Sequence, residues 1–357
     1  MLADLVCQLN DGVPLTSGQV AAAVTALVEE AVPSQVKATF LTALAIKGET
    51  AEEIAGFARA LRERALQPEL DPVTRAREIL DVCGTGGDHL NTFNISTTVA
   101  LVAASAGITV AKHGNRAITS RSGSADVLEA LGVRTDLDPA DAARWLKERG
   151  FAFFFAPKYH PAFKHIAPAR KLCAERGQRT VFNLLGPLLN PVRPTAQLLG
   201  VPRPEFCEPI ARVLQTLGVR RGMVVSGRVE AAPPPPTASA AGPLYLDELS
   251  TLGETTLAEF YHEKGVALAT LAPTQLPVCP ATLADLAGGD HAANAKIILA
   301  LLTGEDRGPR RDAVLLNAAA ALFVAGRCRS IAEGWALAEE LIDSGQARRK
   351  LEELRQP

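Results

Sequence analysis

The chain has little that would mark it for an oxidising compartment, a membrane or a nucleic acid. Its six cysteines (Cys7, Cys83, Cys173, Cys207, Cys279 and Cys328) are scattered without a CxxC pair. That spacing excludes a zinc cluster and a small disulfide framework. No uninterrupted apolar run is long enough to cross a bilayer. The start, MLADLVCQLND, lacks the basic region and the long apolar run of a secretion signal. Neither sign of charge is in excess: 37 Lys and Arg against 39 Asp and Glu leave a net charge of −2. That balance gives no sign of a nucleic-acid or membrane partner, and the expected place is the cytoplasm. No internal repeat is visible. What remains is a globular composition, 47% hydrophobic and 21% charged, long enough for one large domain or two unequal ones.

The most informative stretch is GTGGDHLNTFNIST at 84 to 97. It follows a β-branched apolar run that reads as a buried strand. It precedes Thr98 to Ala106, an alanine-rich run that reads as a helix. Asn94 or Ser96 is placed to cap that helix and leave N–H groups free at its start. A glycine loop between a strand and a helix N-terminus is an anion site, because the backbone approaches a phosphate closely and the helix dipole favours negative charge. The other reading is an ordinary turn with spare glycines. A second polar stretch, KHGNRAITSRSGS at 112 to 124, also follows a strand-like run and precedes a helix. Loops at the carboxyl ends of strands share one crevice in an α/β sheet. Two such loops can hold both ends of a polyphosphorylated ligand, one with neutral donors and the other with charge. On its own, the basic stretch reads equally as a solvated loop.

Around these loops the pattern is regular. The first seventy residues carry helical periodicity. Thr16 and Ser17 are placed to cap one helix, Pro33 and Ser34 open a second, and Thr50 opens a third with Glu53 at capping-box spacing. From Arg75 to Phe155 strands alternate with helices. Strands are expected at 77–83, 108–111, 133–136 and 151–156, with helices near 97–106, 124–131 and 139–149. This is the grammar of a mainly parallel sheet. Residues 161–190 read as helix and irregular structure. Strands return at 196–201 and 222–226 around a helix at 204–217, and helices dominate from Asn294 onward. Glu230 to Gly242, EAAPPPPTASAAG, reads as a flexible or polyproline-like surface insertion. Beyond it lie Asp247 and Glu248. Adjacent residues on a strand face opposite ways, so both serve one site only from a bend. As hard oxygen donors they suit magnesium; alone, they read as well as a solvated loop.

Several stretches resemble the anthranilate phosphoribosyltransferase family. They are GTGGD at 84–88, NIST at 94–97, KHGNR at 112–116, SGSADVLEALG at 122–132, HPAFKHIAPAR at 160–170, TVFNLLGPLLNP at 180–191, DELS at 247–250 and RDAVLLNAAAAL at 311–322. They span nearly the whole chain in the family's order. The wider fold family includes pyrimidine nucleoside phosphorylases.

The resemblance implies an α/β protein with a small helical domain and a larger α/β domain around a central, mainly parallel sheet. The helical domain takes 1–72, joined by about 161–190. The phosphoribosyl-binding domain takes 73–160 and 191–357. The implied reaction is transfer of a phosphoribosyl group from phosphoribosyl pyrophosphate to the amine of anthranilate, with Mg2+, in a homodimer formed through the helical domain. The resemblance puts Gly84, Gly87, Asp88, Thr92, Asn94, Ser96, Thr97, Lys112, Arg116, Ser120 and Ser124 around the donor. It puts Gly84, Asn115, Arg170, His113 and His160 around anthranilate, and Ser96, Asp247 and Glu248 on the metal side. No residue is assigned as acid or base, because an aromatic amine already carries its lone pair at neutral pH. The connection RKLCAERGQRT after Arg170 is longer than is usual in the family; Arg176 or Arg179 adds charge near the acceptor or faces water. Two alternatives stay open: a nucleoside phosphorylase that does not need the acidic pair, and a non-catalytic relative that binds nucleic acid.

Overall fold

The computed structural model describes every residue except 118–120, 231–242, 263 and 357. An eight-stranded sheet runs through the larger part of the chain. Its strands are β1 (Ile79–Gly84), β2 (Thr109–Gly114), β3 (Phe151–Phe155), β4 (Ala196–Gly200), β5 (Arg221–Val229), β6 (Leu244–Leu246), β7 (Thr255–Tyr261) and β8 (Ala267–Leu271). The order is β3-β2-β1-β4-β5-β7-β8, with β6 paired to β5. β1 to β5 are parallel, and β6, β7 and β8 add antiparallel pairs. The chain steps outward from β1 to β3, then returns to place β4 on the other side of β1. That reversal opens a crevice beyond the carboxyl ends of β1 and β4, where open α/β sheets bind ligands.

Apolar side chains alternate across the sheet and bury both faces, as parallel strands require. Leu198, Met223 and Val225 enter the larger core beneath the helices Ile95–Ser105 and Pro309–Val324. Leu199 and Val224 enter a second core. That core is shared with the helix Cys207–Thr216 and with the N-terminal helices Ser17–Val28, Ser34–Lys47 and Ala51–Arg62. The N-terminal helices start where their caps predict. Thr16 and Thr50 each accept from the backbone at N3 in complete capping boxes, and Pro33 holds the cap position before Ser34. Segment 161–189 returns to this second core through Ile166, Ala169, Phe182 and Leu185.

Two expectations need correction, and one part of the sheet was not anticipated. Residues 133–136 form no strand. Val133, Thr135 and Leu137 are buried and the residues between them exposed, so an extended segment outside the sheet gives the same period of two. The antiparallel strands β7 and β8, which did not stand out in the sequence, extend the sheet past β5. Asn94 occupies the cap position of the helix Ile95–Ser105, but its side chain makes no cap bond. Most of the proline-rich insertion, 231–242, lies outside the described residues, as does Ser120.

Candidate active site

The turn after β1 and the turn after β2 meet in one cleft of about 1130 Å³. Its lining includes Gly84, Gly87, Asp88, Thr92, Asn94, Ser96, Thr97, Lys112, His113, Asn115, Arg116, Ser124, His160, Arg170, Asp247 and Glu248. These are all the residues assigned from the sequence to the donor, the acceptor or the metal except Ser120. Residues not singled out also line it: Thr85 and Gly86 in the glycine loop, Glu49 from the helical part, and Phe163, Phe182 and Pro187 on the far wall. The signal for Thr85 and Gly86 was present, since both lie inside GTGGD.

Asp247 and Glu248 follow β6 in a bend, and both carboxylates reach the glycine loop. The Gly86 N–H donates to Asp247 Oδ2 at 2.6 Å, and the Thr85 hydroxyl donates to the same oxygen at 3.3 Å. The Ser96 N–H, at the start of the helix, donates to Glu248 Oε1 at 3.2 Å. The amides expected to stand free are therefore met by the chain's own carboxylates. Close approach explains the glycines here. A Cβ on Gly84 would stand 2.6 Å from Asp247 Oδ2, and one on Gly200 would overlap the Asp247 carbonyl. Asp88 adds a third carboxylate, accepting from the Leu90 N–H at 3.2 Å and the Asp247 N–H at 3.4 Å.

This cluster is under electrostatic stress. Burial, then the charges of Asp88 and Glu248, hold the Asp247 carboxyl well above the usual range. Burial pushes Glu248 up to about 8, and Lys112 offsets this only in part. Lys112 is itself buried, which lowers its pKa, while Asp81 opposes that shift. Its ammonium donates to the Val82 carbonyl at 2.7 Å and to Ser96 Oγ at 3.4 Å, so in this state it braces the loop. Arg116 is exposed and spends its guanidinium on Glu129 at 2.7 Å and Asp126 at 3.1 Å. Ser124 donates to the Asn115 carbonyl at 3.3 Å, a bond within the second loop.

Another part of the cleft is aromatic, with two imidazoles and one guanidinium among the rings. His113 and His160 meet edge to face, with ring centroids 5.3 Å apart, and His160 stacks on Phe163 at 5.2 Å. Burial drives His160 down to about 4 and His113 well below its usual value, so both rings are neutral at pH 7. The carbonyls of Gly186 and Leu189 accept from these rings, and neither Nε2 has a partner. Arg170 lies with its guanidinium 5.3 Å above the Phe182 ring. Burial lowers its pKa, and no carboxylate among the described residues pairs with it. Arg179 lines the mouth of the cleft, whereas Arg176 is exposed and bonds Gln35 at 3.3 Å.

Comparison with known proteins places this arrangement. A family model described as the a/b domain of a glycosyl transferase family matches residues 76–348, and its helical bundle domain matches 3–65. An anthranilate phosphoribosyltransferase from Symbiobacterium thermophilum is 47% identical over 99% of this chain and 96% of its own length. The chain belongs to the anthranilate phosphoribosyltransferase family. The crystal structure of the family's Thermus thermophilus member superposes with a TM-score of 0.84 at 42% identity, covering 98% of each chain. The Saccharomyces cerevisiae member, solved in complex with phosphoribosyl pyrophosphate and Mg, superposes with a TM-score of 0.83 at 29% identity. That match covers 99% of this chain and 96% of the yeast chain. The curated relatives carry the transferase name, which supports a catalytic transferase over a phosphorylase or a non-catalytic relative.

Proposed function

We propose that this chain transfers the phosphoribosyl group of phosphoribosyl pyrophosphate to the amine of anthranilate and releases pyrophosphate. The observation that carries this reading is the division of one cleft. Backbone donors and an over-charged carboxylate cluster occupy one end; an unpaired guanidinium among aromatic rings occupies the other. At carbon one of the ribose, the bond to pyrophosphate breaks and its electron pair leaves with the pyrophosphate. The amine lone pair forms the new bond, and the surplus proton goes to solvent. Positive charge develops on the ring and negative charge on the leaving group, so positioning and electrostatics do most of the work.

In this reading Gly84, Gly87, Asp88, Thr92, Asn94, Ser96, Thr97, Lys112, Arg116, Ser120 and Ser124 surround the donor. Arg170 grips the anthranilate carboxylate through two parallel hydrogen bonds. Gly84, Asn115, His113 and His160 bound the acceptor. A ring whose conjugate acid has a pKa of about 4 is a poor base, in keeping with no assigned general base. Asp247, Glu248 and Ser96 would hold magnesium. The donor set is hard oxygen, and burial first, then neighbouring carboxylates, makes the ionised form of Asp247 and Glu248 costly until a cation joins them. No cage of three or more metal ligands stands ready among the described residues. That suits an ion completed by substrate phosphates and water. Bound there, it would supply neutralisation of charge on the leaving group.

The helical unit in this reading comprises 1–72 joined by about 161–190, against an α/β unit of 73–160 and 191–357. A homodimer through the helical unit is supported by Ile46 and Val36, both exposed on the helix Ser34–Lys47. A cytoplasmic location is supported by the soluble substrates. Among the described residues no helix is long and apolar enough to cross a membrane. The test mixes the chain with magnesium, phosphoribosyl pyrophosphate and anthranilate and follows anthranilate fluorescence. Loss of signal that needs all three components supports the assignment. Unchanged fluorescence with tight donor binding would remove anthranilate as the acceptor.

A further inference from the structure

The glycine loop is not self-supporting. His89 and Asn91 hold φ of +57° and +54°, a left-handed conformation uncommon for residues other than glycine, though Asn and His tolerate it better than most. The support comes from far along the chain. Thr92 bridges Ala287, the Phe93 N–H donates to the Leu286 carbonyl at 3.1 Å, and the Gly288 N–H donates to the Asn91 carbonyl at 2.9 Å. A Cβ on Gly288 would stand 2.8 Å from Phe93 Cα, so the two backbones lie in direct contact.

Asn294, in the helix His291–Leu302, ties this clasp to the loop. It is 2% exposed and does not line the cleft. The Gly289 N–H donates to Asn294 Oδ1 at 2.7 Å, which fixes the orientation of that carboxamide. Its Nδ2–H therefore points to Asn94 Oδ1, at 2.8 Å. Asn94 in turn must present Nδ2–H on its other side, where it donates to the Ser122 carbonyl at 3.2 Å. The relay has one polarity and joins four segments: the clasp, the helix His291–Leu302, the glycine loop and the basic loop. Each polar end of the Asn94 side chain makes one bond in it, which leaves one acceptor site and one N–H for a ligand.

We propose that Asn294 is a positioning residue for the donor site. It sets the direction of the Asn94 carboxamide and thereby the spacing of the two loops. The inference rests on the donor assignment made above. Asn294→Asp isolates it: the variant keeps the acceptor for Gly289 but turns an oxygen toward Asn94 Oδ1. The half-buried Asn94 amide then loses its donor, and no flip satisfies both of its sides. Asn294→Ser, smaller and uncharged, removes the relay without adding charge and serves if the Asp variant does not fold.

The measurements are magnesium-dependent binding of phosphoribosyl pyrophosphate by calorimetry, the KM of each substrate, and hydrogen exchange of residues 85–97 in the unliganded chain. We expect donor binding to weaken about tenfold or more, as for a buried polar group left unpaired. The anthranilate KM should stay within about twofold, because the relay does not touch Arg170. Amides of 85–97 should exchange faster. In an Asn94→Ala background, Asn294→Asp should weaken donor binding by less than about twofold, since the relay is already cut. Unchanged donor binding, equal shifts in both KM values, or full additivity with Asn94→Ala would each overturn the inference. If the unaltered chain binds no donor, the functional reading fails and exchange alone decides: faster exchange in 85–97 supports the positioning role, and unchanged exchange refutes it.

Discussion

Replacing Arg170 with Ala should separate the two substrates. Its guanidinium lies over Phe182 with no carboxylate partner among the described residues, so the protein holds a partly desolvated cation ready for an anion. Truncating one side of a buried charge pair costs about 2–5 kcal/mol. This cleft is open to solvent, so about 2–3 kcal/mol is the appropriate range. At about 1.4 kcal/mol per factor of ten, the KM for anthranilate should rise about 30- to 140-fold. Arg170→Lys keeps the charge but loses the planar fork, and a rise of about tenfold is expected. The KM for phosphoribosyl pyrophosphate should stay within about twofold, because Arg170 and the phosphate-side loops lie at opposite ends of the cleft. Fold stability should move by less than about 1 kcal/mol, since losing the ring contact and relieving an unpaired cation oppose each other. Initial rates from anthranilate fluorescence, with each substrate varied in turn, give both constants. Equal increases in both KM values, or a large fall in Tm, would refute the carboxylate role.

Glu248→Gln mimics the protonated carboxyl that burial favours and removes the cost of protonating it, so metal-free Tm at neutral pH should rise while the magnesium requirement for donor binding increases. An unchanged magnesium titration would remove Glu248 from the metal side. Gly200→Ala should destabilise the fold by about 3 kcal/mol or more, because its Cβ would overlap the Asp247 carbonyl. Thermal unfolding like that of the unaltered chain would contradict that contact. The folded His160 ring has a pKa of about 4, against about 6.5 unfolded. The unfolded chain thus binds more protons between those values, so this contribution is fully present above pH 6.5 and is lost as pH falls toward 4. Tm should decline over that window and decline less in His160→Gln; an equal slope in both would refute the buried neutral ring.

Local chemistry made part of this molecule legible. Thr50 with Glu53 gave a helix start because both halves of a capping box lie within three residues. GTGGD gave a strand-to-helix turn because glycine and small polar residues interrupt two apolar runs. Asp247 and Glu248 did require a bend, and they sit in one. Distance in sequence hid the rest. The partners of Asp247 and Glu248 on the glycine loop, Gly86 and Ser96, lie 161 and 152 residues away. Asn294 and Asn94 are 200 residues apart and carry no local pattern that joins them. Alternation at 133–137 reported burial correctly but not pairing, since periodicity records which side chains are covered and not what hydrogen-bonds the backbone. Arg116 and Lys112 were visible as charge, yet which groups they meet depended on Glu129 and on the Val82 carbonyl.

The central claim is that the turns after β1 and β2 hold an activated ribose while Arg170 holds its acceptor in the same cleft. A crystal structure of the chain with phosphoribosyl pyrophosphate, magnesium and an unreactive anthranilate analogue tests it most directly. The account predicts the diphosphate within hydrogen-bond reach of the 84–97 backbone, metal on Asp247 or Glu248, and the analogue's carboxylate on the Arg170 guanidinium. Donor density away from both turns, or an analogue carboxylate that ignores Arg170, would contradict it.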